Sequence, residues 1–137
     1  MFDTIRWEGD AVVLIDQRLL PTEETYLHCR DARSVAEAIR NMVVRGAPAI
    51  GVTAAMGIAL GMKQSGATDS ASARKTMEEL TSLMASTRPT AVNLFWAIER
   101  IKKRFEALFP DGVEAIITGL EREAQAICAE DVETNRR

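Results

Sequence analysis

The sequence predicts a mainly helical α+β protein, with a small three-stranded antiparallel β-sheet at the N-terminus followed by a bundle of about five helices. Residues 1–30 contain short segments rich in β-branched and aromatic residues, separated by turn formers. From residue 31 onward, apolar residues recur at helical spacing. The chain has 137 residues, 47% of them hydrophobic and 27% charged, which suffices for one buried core. We therefore expect one domain, with the sheet in residues 1–30 and the bundle in 31–137.

The three predicted strands are short and are divided by residues that favour turns. They cover Thr4–Trp7, Ala11–Asp16 and Thr25–Cys29. Gly9 and Asp10 separate the first two, and a Leu-Pro-Thr turn at residues 20–22 precedes the third. Connections this short favour antiparallel pairing between neighbouring strands.

The first helix is predicted from its start signal and its apolar face. Ser34 and Glu37 have the spacing of a capping box, in which two side chains satisfy unpaired backbone N–H groups. The helix should end near Val44, because a glycine and a proline follow closely. Its apolar positions share one face: Val35, Ile39, Met42 and Val43.

The second helix is predicted to be central and tightly packed. Pro48 suits its first turn, where the missing N–H costs nothing, and the helical pattern runs to about Gln64. Many of its residues are alanine or glycine. Gly57 and Gly61 lie one turn apart, and this spacing indicates that a neighbouring helix approaches closely.

Three further helices follow. A loop at residues 65–69 precedes a third helix that runs to about Ala85, with core positions Met77, Leu80 and Met84. Thr90 can cap a fourth helix, whose apolar stripe is Leu94, Ile98, Ile101, Phe105 and Leu108.

The fifth helix is predicted from a second capping-box-like start. Asp111 and Glu114 follow Pro110 at the right spacing, and the helical period continues towards Asp131. Its apolar positions are Val113, Ile117, Leu120, Ala124, Ile127 and Cys128.

Composition excludes several classes of function. The net charge is −3 and no Lys/Arg-rich tract is present, which argues against nucleic acid or an anionic membrane as partner. Cys29 and Cys128 match no metal spacing, and His28 has no partner at ligand spacing. The uncharged stretch Ala47–Met62 is shorter than a membrane span. We expect no metal and no cofactor, and two free thiols in the reducing cytoplasm.

Two arginines stand where helices are predicted to begin. Arg45 precedes Gly46-Ala47-Pro48, and Arg88 precedes Pro89-Thr90. Helix N-termini offer unpaired N–H groups to an anion, and a guanidinium beside them can bind phosphate with two hydrogen bonds. The alternative is that both arginines are solvated or bind the carbonyls that end the preceding helix. The residue pattern leaves both interpretations open.

Four long segments resemble a known family. They are VLIDQRLLP (13–21), VRGAPAIGVTAAMG (44–57), RPTAVNLFWAIERI (88–101) and AEDVETNRR (129–137). Together they are similar to the N-terminal part of the methylthioribose-1-phosphate isomerases. These enzymes share a wider family with ribose-1,5-bisphosphate isomerases and with regulatory subunits of the eukaryotic initiation-factor-2 exchange factor.

The resemblance implies an aldose–ketose isomerase of methionine salvage that acts on 5-methylthioribose 1-phosphate. It assigns Arg45, Gly46, Ala47 and Arg88 to the substrate and its phosphate. The family's catalytic cysteine and aspartate lie in a Rossmann-like C-terminal domain, so this chain alone should have no turnover. The expected partners are a sugar phosphate, the protein's own C-terminal domain and, at full length, a second copy in a homodimer. The alternatives are a ribose-1,5-bisphosphate isomerase or a non-catalytic regulatory subunit.

Overall fold

The computed structural model describes residues 5–8, 11–15, 26–41, 47–88 and 92–135. These residues form a mainly helical protein with a small antiparallel sheet, which confirms the predicted fold class. The helices are α1 (Ala32–Arg40), α2 (Ala47–Gln64), α3 (Ser70–Ala85), α4 (Val92–Leu108) and α5 (Val113–Asn135). None of these helices has a stretch both long and apolar enough to cross a membrane.

The sheet has its middle strand covered by the bundle. Its strands are β1 (Ile5–Glu8), β2 (Ala11–Ile15) and β3 (Tyr26–Cys29), in the order β1-β2-β3. Both pairings are antiparallel, with Trp7 opposite Val12 and Val13 opposite His28. Residues 11–14 of β2 are all buried, and β2 contacts α2. The sheet therefore closes one side of the helical core.

Helix α1 begins earlier than the capping box predicted. Asp31 is its N-cap, and the Asp31 carboxylate accepts a hydrogen bond of 2.7 Å from the Ser34 backbone N–H. The predicted box is therefore wrong: Ser34 lies inside the first turn, and the Glu37 carboxylate pairs with Arg40 instead. An aspartate three residues upstream was the stronger capping signal. The predicted end near Val44 is also wrong, because the helix ends at Arg40 with Asn41 as its C-cap.

Helix α2 occupies the centre of the bundle. It contacts the four other helices, and residues 51–60 are all buried. A Cβ atom placed on Gly57 would lie 2.5 Å from the Met84 methyl carbon and 2.8 Å from a Val35 methyl carbon. One at Gly61 would overlap the end of Leu80. The prediction that these glycines admit close neighbours is confirmed, with α1 and α3 as the neighbours.

The contacts of α2 fix the directions of the other helices. Because Met84 and Leu80 of α3 meet Gly57 and Gly61 in reversed order, α3 runs antiparallel to α2. Contacts from α1 show the same reversed order.

Helices α4 and α5 are antiparallel, because Leu108 at the end of α4 meets Gly119 whereas Arg100 in the middle of α4 reaches Glu130. The end of α2 lies near the same part of α5, since Lys63 pairs with Glu121, and the first turns of α2 and α4 meet at Gly51 and Asn93. Helix α4 therefore runs parallel to α2 and α5 runs antiparallel to both, and we call the end where α2 and α4 begin the α2/α4 end.

The later helices confirm most of the predicted core and correct the start of α5. Met77, Leu80 and Met84 are buried in α3, as predicted. In α5 the Gly112 carbonyl accepts the first helical hydrogen bond, from the Ile116 N–H at 3.1 Å. Asp111 therefore lies one residue too early to cap, inside a short 3₁₀ turn over Phe109–Asp111. Ile116 is fully buried, whereas the predicted core residue Ile117 is only half-buried. The predicted cap Thr90 lies outside the described residues.

Candidate functional site at the starts of helices α2 and α4

The first turns of α2 and α4 lie against each other at the α2/α4 end. A Cβ atom placed on Gly51 would lie 2.8 Å from the Asn93 carbonyl oxygen and 3.4 Å from the Ala97 Cβ. Such a distance to a backbone oxygen is shorter than real Cβ contacts allow. The absence of a side chain at Gly51 thus lets the two helix starts approach closely.

Arg88 follows the C-terminal end of α3, where side-chain hydroxyls bind the last carbonyls of the helix. The buried Thr87 donates its hydroxyl to the Met84 carbonyl at 2.7 Å, and Ser86 donates its hydroxyl to the Leu83 carbonyl, also at 2.7 Å. These bonds satisfy carbonyls that the helix end would otherwise leave unpaired. Arg88 follows directly and is half-buried. Its backbone is consequently anchored four residues before α4 begins.

The other predicted site residues belong to the start of α2. Ala47 is the first residue of that helix. Arg45 and Gly46, which immediately precede it in the chain, lie outside the described residues. One turn further, the buried Thr53 donates its hydroxyl to the Ala49 carbonyl at 2.7 Å. The structure therefore brings together the two helices that follow the predicted site residues in the chain. Of the two predicted arginines, it describes Arg88.

The electrostatics of this end depend on the arginines. The N-termini of α2 and α4 contribute partial positive charge, which favours an anion. The C-terminal ends of α1, α3 and α5 point the same way, because these helices run antiparallel to α2, and they contribute partial negative charge. The dipoles therefore oppose one another. Positively charged side chains have to supply most of the attraction for a phosphate.

Arg100 in α4 forms a charge cluster that the sequence did not reveal. Its guanidinium pairs with Glu123 at 2.5 Å and with both oxygens of Glu130 at 2.8 and 2.5 Å, and it lies 5.5 Å from the Trp96 ring centre. The hydrogen bond to Glu130, and after it the one to Glu123, raises the pKa of Arg100, and the hydrogen bond from Arg100 lowers the pKa of Glu130. Arg100 therefore binds α5 to α4. Its partners lie 23 and 30 residues away, beyond the reach of local helical spacing.

An apolar surface adjoins the α2/α4 end. Val92, Phe95 and Trp96 share one face of the first turns of α4, with 78%, 39% and 55% of their surface exposed. Large apolar side chains grouped on an exposed face commonly mark a contact surface. We refer to these three residues as the α4 apolar face.

Metal and thiol chemistry find little support in the described part of the chain. No group of three His, Cys, Asp or Glu side chains there could hold a metal ion. Cys29 is buried, and this burial, together with the nearby Asp31 charge, raises its pKa to about 11. A thiol with that pKa is protonated near neutral pH and is a poor nucleophile. Cys128 is half-buried in α5.

Comparison with known proteins identifies the family. The Initiation factor 2 subunit family matches residues 43–137. Methylthioribose-1-phosphate isomerase of Trichlorobacter lovleyi is 55% identical over 96% of this chain, and that of Koribacter versatilis is 47% identical over 97%. The chain spans 38% of the length of each of these relatives.

Two solved structures share the fold. Crystalline 5-methylthioribose 1-phosphate isomerase from Pyrococcus horikoshii has a TM-score of 0.91 and 43% identity, covering 95% of this chain and 36% of its own. The delta subunit of translation initiation factor eIF-2B from A. fulgidus has a TM-score of 0.86 and 39% identity, covering 95% of this chain and 37% of its own. The matched residues include all of α2 to α5, which build the α2/α4 end. The chain belongs to the Initiation factor 2 subunit family.

Proposed function

We propose that this chain is the substrate-binding N-terminal part of an aldose–ketose isomerase. The enzyme converts 5-methylthioribose 1-phosphate to 5-methylthioribulose 1-phosphate in methionine salvage. The observation that carries the proposal is the contact between the first turns of α2 and α4, in a chain 55% identical to a protein named as that isomerase. This contact supports a single anion site shared by the two helix starts.

In the proposed site, two arginines hold the phosphate of the substrate. Arg45 and Arg88 each offer a planar guanidinium that can donate two hydrogen bonds to phosphate oxygens. Gly46 allows an oxygen to approach the backbone closely, and Ala47 begins the helix whose N–H groups are unpaired. Two cations against a phosphate dianion overcome the opposing helix dipoles.

The chemical step requires groups that we assign to the rest of the protein. The bond between C1 and the ring oxygen breaks, the hydrogen on C2 moves to C1, and the C2 hydroxyl becomes a carbonyl as its proton passes to the ring oxygen. That transfer proceeds as a hydride shift or through an enediol. A cysteine and an aspartate of a C-terminal domain serve as the catalytic pair, and no cofactor takes part.

The partners of the proposed enzyme follow from the same assignment. The C-terminal domain packs beside the α2/α4 end, and the exposed α4 apolar face supports a contact there. The full-length enzyme is a cytoplasmic homodimer. Neither nucleic acid nor a membrane is a partner, consistent with the net charge of −3.

The test uses the complete product of the gene that contains this chain. With 5-methylthioribose 1-phosphate as substrate, Arg45→Ala and Arg88→Ala should each lower kcat/KM by about 100-fold, the loss expected for a charge-assisted hydrogen-bonded pair. Arg122→Ala is the control, because Arg122 is exposed on α5 beside Glu121, towards the opposite end of the bundle. Normal KM and kcat in both site variants would contradict the phosphate role. Turnover by the 137-residue chain alone would contradict the assignment of catalysis to another domain.

A second function is a non-catalytic regulatory subunit, which the similarity to the A. fulgidus eIF-2B delta subunit favours. A ribose-1,5-bisphosphate isomerase is the alternative enzyme and would use the same anion site. Assaying both sugar phosphates with the complete gene product separates these functions. Turnover of neither substrate, and no cysteine–aspartate pair encoded beyond Arg137, would favour the regulatory subunit.

A further inference from the structure

We infer that Gly51 is a positioning residue for the substrate phosphate: its lack of a side chain sets the distance between the two helix starts that carry the phosphate-binding arginines. This inference rests on the proposed function. Gly51 lies in the first turns of α2, a few residues beyond Ala47. It faces the first turns of α4, shortly after Arg88.

The contact at Gly51 is with backbone. The nearest atom to a Cβ placed there is the Asn93 carbonyl oxygen at 2.8 Å, and the Asn93 carbonyl carbon follows at 3.4 Å. This carbonyl lies within α4, so rotating a side chain cannot relieve the clash. A methyl group at Gly51 has to move the start of α4 away from that of α2.

Two other glycines in close contact with a neighbouring element face mainly side-chain ends. At Gly61 the nearest atom is the flexible end of Leu80, followed by the Ala32 Cβ at 3.0 Å, and at Gly119 the nearest atoms belong to the end of Leu108. Side-chain ends can rotate at modest cost, whereas helix backbone cannot. Gly61 also lies in the last turns of α2, far from the α2/α4 end. An alanine at Gly61 therefore perturbs packing without separating the two helix starts.

Separating the two helix starts changes the distance between the groups that bind the phosphate. The distance of 2.8 Å has to grow by about 0.6 Å to reach 3.4 Å, where ordinary contact with a Cβ atom begins. A shift of this size should weaken an arginine–phosphate hydrogen bond that is worth up to about 100-fold in affinity, so we expect phosphate binding to weaken about tenfold. Since the proposed catalytic groups lie in another domain, the loss should appear mainly in KM.

The experiment compares Gly51→Ala with Gly61→Ala in the complete gene product. Three quantities are measured for each: the melting temperature, KM and kcat for the sugar phosphate, and the inhibition constant of inorganic phosphate as a competitor. Gly51→Ala should raise KM and the phosphate inhibition constant about tenfold, with kcat changed less than threefold. Gly61→Ala should lower the melting temperature while both constants stay near wild type.

An unchanged KM and phosphate inhibition constant in folded Gly51→Ala would overturn the inference, and so would an equal rise in Gly61→Ala. If Gly51→Ala does not fold, Ala97→Ser is the second variant, because it adds a single oxygen at the same α2–α4 contact. This variant should raise KM severalfold, and an unchanged KM would overturn the inference. The failure of the proposed function would look different: the wild-type protein would be inactive, or the Arg45→Ala and Arg88→Ala variants would keep normal KM and kcat.

Discussion

The two sides of helix α4 are held by different kinds of contact. Towards α2, the packing is between small residues and backbone, with Gly51 against Asn93 and the fully buried Ala97 beside them. Towards α5, the flexible end of Leu108 packs against Gly119, and Arg100 binds its two glutamates. Steric repulsion rises steeply within tenths of an ångström, whereas long charged side chains adapt to shifts of that size. The side that positions the proposed site is the rigid one.

The adaptable contacts also occur between α3 and α4. Arg74 donates to both oxygens of Glu106 at 2.8 and 2.9 Å, and its guanidinium lies 4.3 Å from the centre of the Phe109 ring. The hydrogen bonds raise the pKa of Arg74 and lower that of Glu106. This pair is exposed, so solvent screens it. Small residues therefore make the close contacts of α2 at the centre of the bundle, and ion pairs connect the helices near the surface of the bundle.

The largest effect should come from filling the space around α2. Gly57→Val places new carbon atoms against Met84 and Val35, and we expect it to lower the free energy of unfolding by about 3 kcal/mol through overpacking. The matched control is Ala71→Val on the exposed face of α3, where only about 0.6 kcal/mol of helix propensity is lost. Urea denaturation of both variants gives the comparison. Equal losses would show that α2 is not closely packed.

A smaller effect should come from the ion pairs of α4. Arg100→Met removes both glutamate pairs, and we expect a loss of about 1–2 kcal/mol because Arg100 is only 24% exposed. Lys102→Met on the same helix removes an exposed pair with Glu99 and should cost less than about 0.5 kcal/mol. Urea titrations at low and high salt measure both. A loss at Arg100 as small as that at Lys102 would contradict its role between α4 and α5.

The smallest effect should come from the cap of α1, and it should depend on pH. Asp31→Ala removes the hydrogen bond to the Ser34 N–H and should cost about 1 kcal/mol at pH 7, whereas Asp31→Asn should cost a few tenths. That hydrogen bond holds the pKa of Asp31 below its usual range. The charged cap therefore stabilises the fold fully above about pH 4 and loses its contribution as pH falls through the lower folded pKa. Stability curves for wild type and Asp31→Asn that run parallel from pH 7 to pH 2 would contradict this.

The fold could largely be predicted because helical spacing is a local signal. The core positions of α3 and the close approach at Gly57 and Gly61 followed from residues three and four apart. The predicted start of α1 was wrong because two capping patterns overlap: Asp31 and Ser34 are both residues that can begin a helix, and Asp31 binds the backbone N–H of Ser34 itself, which places Ser34 inside the helix.

The candidate site was less accessible to sequence reasoning. Arg88 could be predicted as a site residue because it precedes a predicted helix start. The structure shows that Arg88 is half-buried and that it follows Thr87, whose hydroxyl binds a carbonyl at the end of α3. The contact between Gly51 and Asn93 joins residues far apart in the chain, and no pattern within one helix announces it. Arg100 looked like any charged residue on a helix face for the same reason. Long-range partners need the three-dimensional arrangement.

The burial of α2 on every side also bears on how the chain folds. A helix whose residues 51–60 are all covered by other elements has no face that tolerates water, so it cannot remain in place while its neighbours detach. Its partners span the sequence from α1 to α5, and these contacts close loops of very different lengths. We expect the bundle to unfold in one cooperative transition, with the amide hydrogens of residues 51–60 exchanging only through global unfolding.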